Sequence, residues 1–456
     1  MVMKIVEVHK RMGYTKKYQG GAYMERFIMD ELVKWKTKKK RKPLIIHGAR
    51  QTGKTWIMQE FGKRYFDTCI YINFENNERM KNTFEQDYDI KRILTALKIE
   101  ANQSFQAENT LLIFDEIQEV PKAMTALKYF YENAPEYNIV AAGSLLGMSL
   151  HAGTSFPVGK VEFLHLYPLN FREFLTALNE DALADLLIQN DFALLNTFRT
   201  KYIELLKKYY YIGGMPEAIM TFIETDDMRE VRKVQNELLL YYESDFSKHA
   251  PVEQYPRIQM VWNSIPAQLA KENRKFIYGI IREGARAKDY EIAIQWLMDY
   301  GLVHKSYRIN KPGLPLISYM DQSSFKMFML DIGLLAAKGE LSAKTLLEGN
   351  RIFEEFKGAL TEQFVAQEFV SNQHKLYYYA SNNSSGEIDF MIQKEEHVIP
   401  IEVKAEENLR AQSLKAYCKK YEPEIAIRAS MSAYRKEDWM CNVPLFDVAY
   451  YINSID

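Results

Sequence analysis

The chain has 456 residues, enough for about two to four domains, and with 47% hydrophobic residues it can fill sizeable cores. Lys and Arg total 59 against 60 for Asp and Glu, so the net charge of −1 excludes a basic field over the whole molecule, and any polyanion must be held by a local patch. Three isolated cysteines exclude a disulfide framework and a paired-cysteine zinc site, and no run approaches the roughly 20 apolar residues of a membrane span. We therefore expect a cytoplasmic protein without a membrane partner.

Residues 1–42 are polar and mostly helical in pattern, and they end in the basic run KTKKKRK, from Lys36 to Lys42. Such a run is typical of a solvated face, but it is also a local patch able to contact a polyanion. Both interpretations stay open at this point.

The stretch from Pro43 to Thr55 predicts a phosphate-binding loop. An apolar run leads into Gly48-Ala49-Arg50-Gln51-Thr52-Gly53-Lys54-Thr55, which matches G-x-x-x-x-G-K-[ST]. Glycine admits backbone dihedrals that other residues avoid, so the loop N–H groups can turn inward around phosphate oxygens at a helix N-terminus. Lys54 is expected to reach the β- and γ-phosphates and Thr55 to bind Mg²⁺. The predicted cofactors are ATP and Mg²⁺.

Two further strands complete the predicted nucleotide site. The run CIYINF (69–74) reads as a buried strand, and TLLIFDEIQ (110–118) delivers Asp115 and Glu116 at the end of another. In that position Asp115 can hold the Mg²⁺ shell, while Glu116 orients or deprotonates the attacking water. Strands that alternate with helices predict a parallel sheet covered on both faces, with ligands at the carboxyl ends of the strands.

The order of these motifs resembles a large prokaryotic family of AAA-type ATPases that carry a C-terminal domain of unknown function. The resemblance includes FDEIQ (114–118), AAGSLL (141–146), VGKVEFLHLYPLNFREFL (158–175) and YYIGGMPEAI (210–219), and it extends over almost the whole chain. It implies that Ser144 is a catalytic residue aimed at the γ-phosphate, although a serine there also suits a helix cap. The family usually has Arg where this chain has Lys160, and Lys lacks the bidentate fork of an arginine finger. Arg50 and Arg172 are the alternative cations.

The middle of the chain predicts two helical units. Residues 181–250 resemble the helical lid of that family, and residues 251–347 combine three helices with a two-stranded hairpin (302–309 and 314–320), which indicates a winged helix. Arg286 and Lys288 lie on one face of its second helix and are candidates for DNA contact. Such domains also serve as protein-contact modules, so both partners remain open.

The C-terminal segment Gly386 to Ala405 predicts a second chemical site. Two β-rich runs flank a charged turn, with Ile388, Phe390 and Ile392 expected on one face, and Asp389, Glu402 and Lys404 on the alternate faces. The pattern resembles the PD-(D/E)xK nucleases, which implies a second Mg²⁺ held by Asp389 and Glu402, with Glu362 from the preceding helix, and water steered by Lys404. The alternative is a set of solvent-facing charges on a domain without catalysis.

Together these patterns predict an α/β protein with a P-loop NTPase parallel sheet, a helical and winged-helix middle, and a C-terminal restriction-endonuclease-like α/β domain. The predicted units are 1–42, 43–180, 181–250, 251–347 and 348–456. One hypothesis is an ATPase that couples nucleotide state to the binding or processing of DNA or another nucleic acid. The other is a nucleotide-dependent switch that binds a protein or nucleic acid without cutting it. The sequence leaves oligomerisation open.

Overall fold

The computed structural model describes residues 24–143, 157–271, 274–348, 354–381, 386–405 and 411–455. Two β-sheets, joined by a helical region, organise these residues. Ser144, predicted to be catalytic, lies outside the described residues.

The first sheet consists of parallel strands, which are β1 (Leu44–His47), β2 (Thr68–Asn73), β3 (Thr110–Asp115), β4 (Asn138–Gly143) and β5 (Glu162–His165). Their order across the sheet is β2-β3-β4-β1-β5. Every residue of β3 and β4 is buried, as expected for parallel strands with both faces covered. The predicted parallel α/β architecture is confirmed.

Within the described residues, five helices cover this sheet: α1 (Ile28–Lys36), α2 (Lys54–Tyr65), α3 (Glu78–Gln86), α4 (Ile90–Glu100) and α5 (Pro121–Asn133). The first two pack Trp35 and Phe61 on one face, and the other three pack Phe84, Ile93 and Leu127 on the opposite face. Their starts follow local chemistry, because Asn77 and Asp89 cap α3 and α4, and Pro121 is the first residue of α5.

The helical region contains α6 (Phe171–Ala177), α7 (Asp181–Leu186), α8 (Phe192–Thr197), α9 (Arg199–Ile212), α10 (Pro216–Thr225), α11 (Met228–His249), α12 (Tyr255–Leu269), α13 (Tyr278–Ile281) and α14 (Ala287–Asp299). The break between α9 and α10 needs its glycines, because Gly213 has a φ of 75° and a Cβ on Gly214 would lie 2.1 Å from the carbonyl oxygen of Leu169. The aromatic run 209–211 at the end of α9 is buried and forms core.

The second sheet is mixed. Its strands are β6 (Val303–Ile309), β7 (Met320–Met329), β8 (Tyr377–Ala380), β9 (Glu387–Lys394), β10 (His397–Val403), β11 (Ile427–Ser430), β12 (Arg435–Lys436) and β13 (Cys441–Pro444), in the order β12-β13-β11-β10-β9-β8-β6-β7. The accompanying helices are α15 (Ile332–Lys338), α16 (Ala343–Glu348), α17 (Glu354–Ser371), α18 (Gln412–Tyr421) and α19 (Val448–Asn453).

The predicted hairpin forms, but its second strand is displaced. Residues 316–319 make a short 3-10 turn, and the strand begins only at Met320. Leu316 is buried and its N–H donates to Oε1 of Gln393 at 2.9 Å, which fixes this segment outside the strand. The hairpin is also not a free wing, since β6 pairs in parallel with β8 and thereby continues the C-terminal sheet.

The prediction that Ile388, Phe390 and Ile392 share one face of β9 is wrong for Ile388. Phe390 and Ile392 lie in the main core, whereas Ile388 packs in a separate apolar cluster. The pairing of β8 with β9 shifts its register between Tyr377 and Tyr379. A bulge of this kind reverses the alternation of side chains along the strand, and simple period-2 reasoning fails there.

Candidate functional site

The phosphate loop connects the end of β1 at His47 to the start of α2 at Lys54. Gly53 precedes the helix with a φ of 95°, a conformation that glycine adopts without strain. A Cβ on Gly48 would lie 2.2 Å from the carbonyl oxygen of Leu166, so the loop passes very close to the chain that follows β5. Because Gly53 has no side chain to cap α2, the first N–H groups of that helix can donate to a phosphate.

Lys54 is buried beside this loop. Its Nζ donates to the carbonyl oxygens of Gly48 at 2.9 Å and Ala49 at 2.8 Å. Burial lowers the pKa of Lys54 to about 8, although Glu116 and Asp115 raise it. An ammonium held by its own loop and deprived of water is well placed to bind a phosphate oxygen.

Asp115 ends β3 next to the start of α2, as predicted. Its Oδ2 accepts hydrogen bonds from Oγ1 of Thr55 at 2.6 Å and from the hydroxyl of Tyr71 at 2.9 Å. Burial raises the pKa of Asp115, while the bonds from Thr55 and Tyr71 lower it. A hydroxyl and a carboxylate oxygen in contact fit the hard oxygen ligands that Mg²⁺ requires. Sequence reasoning missed Tyr71, because an alternating strand gives no signal for one functional tyrosine.

Glu116 follows Asp115 in a left-handed conformation, with a φ of 49°. Such backbone strain in a residue other than glycine often accompanies functional sites. Its carboxylate Oε2 accepts from Nε2 of Gln118 at 2.7 Å, and this bond fixes the direction of the carboxylate. The charge of Glu116 is close enough to Lys54 to raise the pKa of that lysine.

The centre of the loop is held by Arg26, a residue that sequence reasoning missed. Arg26 is buried, and it donates to the carbonyl oxygens of Thr52 at 3.0 Å and Tyr167 at 2.6 Å and to Oε1 of Glu173 at 3.1 Å. Thr52 in turn donates from Oγ1 to the carbonyl of Ala49 at 2.9 Å. A residue that precedes the loop in sequence thus holds the loop in place by hydrogen bonds, although the polar pattern of residues 1–42 gave no indication of this role.

The other two loop residues face the helical region. Gln51 is exposed and has a φ of 62°. Arg50 donates from Nη1 to Oδ1 of Asp245 on α11 at 2.5 Å, and its carbonyl accepts from the hydroxyl of Tyr242 at 2.8 Å. The Asp245 carboxylate also accepts from the hydroxyl of Tyr300 at 2.5 Å. The phosphate loop is therefore hydrogen-bonded directly to α11 and, through Asp245, to the end of α14.

A second contact joins the loop to the turn after α14. Gly301 in that turn has a φ of 77°. A Cβ there would lie 3.4 Å from the backbone N of Ala49 and 3.7 Å from its Cβ. Two segments of the helical region thus touch the residues that surround the phosphate position.

The alternative cations outside the loop are engaged elsewhere. Lys160 pairs with Glu132 on α5, with 3.0 Å between Nζ and Oε1. Arg172 lies over the ring of Phe27, with its guanidinium carbon 4.1 Å from the ring centre. Of the three cations considered from the sequence, Arg50 is the one that lies in the loop itself.

The C-terminal site lies in a cavity of about 1020 Å³. Each of the four side chains predicted there, Glu362, Asp389, Glu402 and Lys404, lines this cavity. They come from α17, β9 and β10. The structure therefore brings together the residues that the nuclease-like pattern selected.

Protein groups occupy the oxygens of two of these carboxylates. Oδ2 of Asp389 accepts from the backbone N of Val403 at 2.7 Å, at the point where pairing between β9 and β10 ends. One oxygen of Glu402 accepts from the backbone N of Leu414 at 3.0 Å, and the other lies 2.6 Å from Nζ of Lys404.

A lysine that the sequence did not mark stands among the remaining carboxylates. Lys326 on β7 is fully buried, and its Nζ lies 3.3 Å from Oε2 of Glu362, 2.5 Å from Oε1 of Glu387 and 3.8 Å from Oδ1 of Asp389. Arg274 forms an ion pair with the other oxygen of Glu362. Lys326 was missed because it lies beyond the predicted second strand of the hairpin (314–320), and a lysine is ordinarily exposed.

Burial and neighbouring charges shift the pKa values of the carboxyl groups around Lys326. Burial raises the pKa of Asp389 well above its ordinary value, and the negative charge of Glu362 raises it further. Burial also opposes ionisation of Glu362, but Arg274 and Lys326 hold the pKa of that carboxyl below its usual range. Within the described ranges, no three His, Cys, Asp or Glu side chains are arranged to hold a metal ion.

Arg286 and Lys288 lie at the start of α14. Both side chains are exposed, and the backbone N of Arg286 donates to Oδ2 of Asp289 at 3.2 Å, which closes the first turn of the helix. Their role in DNA contact remains a prediction.

The parallel sheet, the loop between β1 and α2, and the carboxylate at the end of β3 define a P-loop nucleotide-binding domain. Residues 40–175 match the family described as AAA domain, so this part of the chain is similar to AAA domains. Residues 203–345 match a domain of unknown function, DUF8612, and residues 357–447 match another, DUF4143.

Two uncharacterized proteins resemble this chain. The protein MJ1544 of Methanocaldococcus jannaschii is 23% identical over 385 residues, which cover 82% of this chain and 77% of that protein. A protein of Haemophilus influenzae is 25% identical over 186 residues, which cover 39% of this chain and 40% of that protein.

The solved structures to which this chain is similar include the Walker-type ATPase PABY2304 of Pyrococcus abyssi, at 12% identity and a TM-score of 0.44, covering 70% of this chain and 96% of that one. The ORC2 protein of Aeropyrum pernix in its ADP form is 16% identical with a TM-score of 0.34, covering 74% and 96%. No helix in the described part of the chain is both long and apolar enough to cross a membrane.

Proposed function

We propose that the AAA domain binds ATP with Mg²⁺ and hydrolyses it. The observation that carries this proposal is the 2.6 Å contact between Thr55 and Asp115, beside the buried ammonium of Lys54. Mg²⁺ would be held by those two oxygens, and it would supply charge neutralisation at the phosphates. Lys54 and the loop N–H groups bind the phosphates, while Glu116 orients the attacking water.

Two substitutions separate binding from hydrolysis. Lys54→Ala should abolish binding of a fluorescent ATP analogue, because the buried cation at the phosphates is lost. Glu116→Gln should keep that binding and lose phosphate release, because only the water-orienting carboxylate is changed. Lys81→Ala is the matched control, since Lys81 is an ion-paired lysine on α3 away from the loop. Phosphate release that persists in both active-site variants would refute the proposal.

We further propose that nucleotide state is transmitted to a nucleic-acid-binding part of the chain. The direct contacts of Arg50 and Ala49 with α11 and with the turn at Gly301 support such transmission. The basic side chains that line the C-terminal cavity, together with Arg286 and Lys288, support DNA or another nucleic acid as the partner. In the processing form of this function, Glu362, Asp389 and Glu402 would bind a second Mg²⁺ and Lys404 would steer water for phosphodiester hydrolysis.

A second candidate function is a nucleotide-dependent switch that binds its nucleic-acid or protein partner without cutting it. The ion pairs of Lys326 and Arg274 favour it, because they already neutralise carboxylates that cleavage would need for metal. The two candidates differ in one experiment on the full chain with linear and branched DNA. If the protein processes DNA, Lys404→Ala removes cleavage and leaves ATP hydrolysis intact. If it is a switch, neither the natural chain nor Lys404→Ala cleaves, and Lys54→Ala alone changes partner retention.

A further inference from the structure

The carboxylates of the C-terminal cavity already hold a cation of the protein itself. Nζ of Lys326 lies within 3.8 Å of an oxygen from each of Glu362, Glu387 and Asp389. An ammonium offers three donors and no acceptor. Glu387 and Glu362 lie within hydrogen-bond distance of this ammonium, and Asp389 at 3.8 Å adds an electrostatic contact. Lys326 thus has the contacts that would otherwise fall to a bound metal ion.

A second cation, the guanidinium of Arg274, also belongs to this cluster. Arg274 pairs with Oε1 of Glu362, the oxygen that Lys326 does not contact. A Cβ on Gly358, one turn earlier on α17, would lie 2.6 Å from Nη2 of Arg274, so the guanidinium passes close to this glycine.

The predicted metal ligands do not fit a divalent ion in this arrangement. Mg²⁺ demands oxygen ligands at about 2.0–2.1 Å in octahedral geometry. Here Glu362 pairs with two protein cations, Asp389 accepts from Val403, and both oxygens of Glu402 have protein donors. A divalent ion would have to displace a buried ammonium, and a buried cation without its partners is strongly unfavourable.

The rim of the cavity is basic. Of the cations that line it, Lys271 and Lys275 are exposed, and Arg308 and Lys404 are partly exposed. Cations at the rim and neutralised carboxylates at the floor suit a ligand with several negative charges that brings no metal. A phosphate backbone has this chemistry.

We propose that Lys326 replaces the divalent metal ion of this site and that the cavity binds the phosphodiester backbone of a nucleic acid without metal and without cleaving it. This inference rests on the proposed nucleic-acid function and specifies its site. Lys326 acts as a positioning residue that holds Glu362, Glu387 and Asp389 in place, while the rim cations contact the ligand.

The first test uses the full natural chain without nucleotide. Binding of a labelled single-stranded oligonucleotide is measured by fluorescence anisotropy in chelator and in Mg²⁺ at equal ionic strength. The expected dissociation constants agree within about twofold, since only screening contributes. Binding that requires Mg²⁺, or cleavage in its presence, overturns the inference but leaves the nucleic-acid function standing. No binding in either condition overturns that function together with the assigned ligand.

The second test measures metal directly by electron paramagnetic resonance of Mn²⁺. The natural chain and its Asp389→Asn variant should bind Mn²⁺ equally, because Asp389 holds no metal in the natural chain and its replacement therefore removes no metal ligand. If the natural chain binds Mn²⁺ and Asp389→Asn does not, then Lys326 does not replace the metal ion. This conclusion holds whether or not the protein binds DNA. Lys326→Met releases Glu387 and Asp389 from the ammonium, and any Mn²⁺ that this variant gains over the natural chain supports metal replacement, since carboxylates are hard oxygen ligands. Lys338→Met is the matched control, because Lys338 is an ion-paired, largely buried lysine outside the cavity. The measurement on the natural chain decides the question even if Lys326→Met does not fold.

Discussion

Gly301→Ala should weaken ATP binding although residue 301 belongs to the helical region. The residue has a φ of 77°, where an L-residue costs about 1–2 kcal/mol. The new methyl would lie 3.4 Å from the backbone N of Ala49, a group of the phosphate loop. At that distance it is already in contact with the loop, so it opposes any movement of Ala49 toward the turn when phosphates bind. We expect the dissociation constant for ATP to rise about fivefold, equivalent to about 1 kcal/mol.

Gly284→Ala is the matched control for this change. Gly284 has a φ of 75°, and a Cβ there would meet no atom of the described residues within 4 Å. Both variants should lose about 1 kcal/mol in the free energy of unfolding, measured by denaturant titration, because both place alanine in the left-handed region. Isothermal titration with ATP should separate them, with only Gly301→Ala affected. Equal affinities would show that the turn at residue 301 does not act on the phosphate loop.

Three further outcomes are expected. Lys54→Met should raise the melting temperature of the nucleotide-free protein near neutral pH. Burial lowers the pKa of Lys54 to about 8, because the folded state disfavours its charge. The resulting loss of folding stability is complete below pH 8 and disappears by about pH 10.5, where the lysine is neutral in the unfolded chain as well. A gain that persists above that pH would contradict this cause. Burial raises the pKa of Glu368 on α17 to about 8, so stability should fall as pH rises from about 4.5 to 8 and then level off. Glu368→Gln should remove that fall in denaturant titrations at pH 5, 7 and 9; an unchanged pH profile would refute the assignment. Reversal of charge at Arg286 and Lys288 should reduce retention on immobilised DNA, and unchanged retention would exclude α14 as a DNA contact.

The nucleotide site was predictable because its chemistry is local in sequence. Eight consecutive residues fix the phosphate loop, and Asp115 follows an apolar strand whose end must meet that loop in a parallel sheet. The residues that hold the phosphate loop from other segments were not predictable in the same way. Arg26 and Asp245 reach the loop from distant segments, and nothing near them in sequence indicates a polar contact that only tertiary packing creates.

In the C-terminal site, the predicted residues come from separate segments, and a residue at the centre of the site was missed. Asp389, Glu402 and Lys404, which sequence reasoning selected, line one cavity in the structure. Sequence reasoning could not foresee Lys326, because a buried lysine is expected only where carboxylates from other segments surround it. It also placed Ile388 on the wrong face, since a bulge depends on the pairing of two strands rather than on the pattern of one.

The parallel pairing of β6 with β8 has a practical consequence for fragments of this protein. A fragment that begins at α17 would leave the apolar strand Tyr377–Ala380 with an open edge, which invites pairing with another chain. Such a fragment would also lack Lys326 and Arg274, and its carboxylates would be released from the partners that neutralise them. Metal binding or cleavage measured on it would report a property of the excised piece, whereas the intact chain carries its own cations in that place.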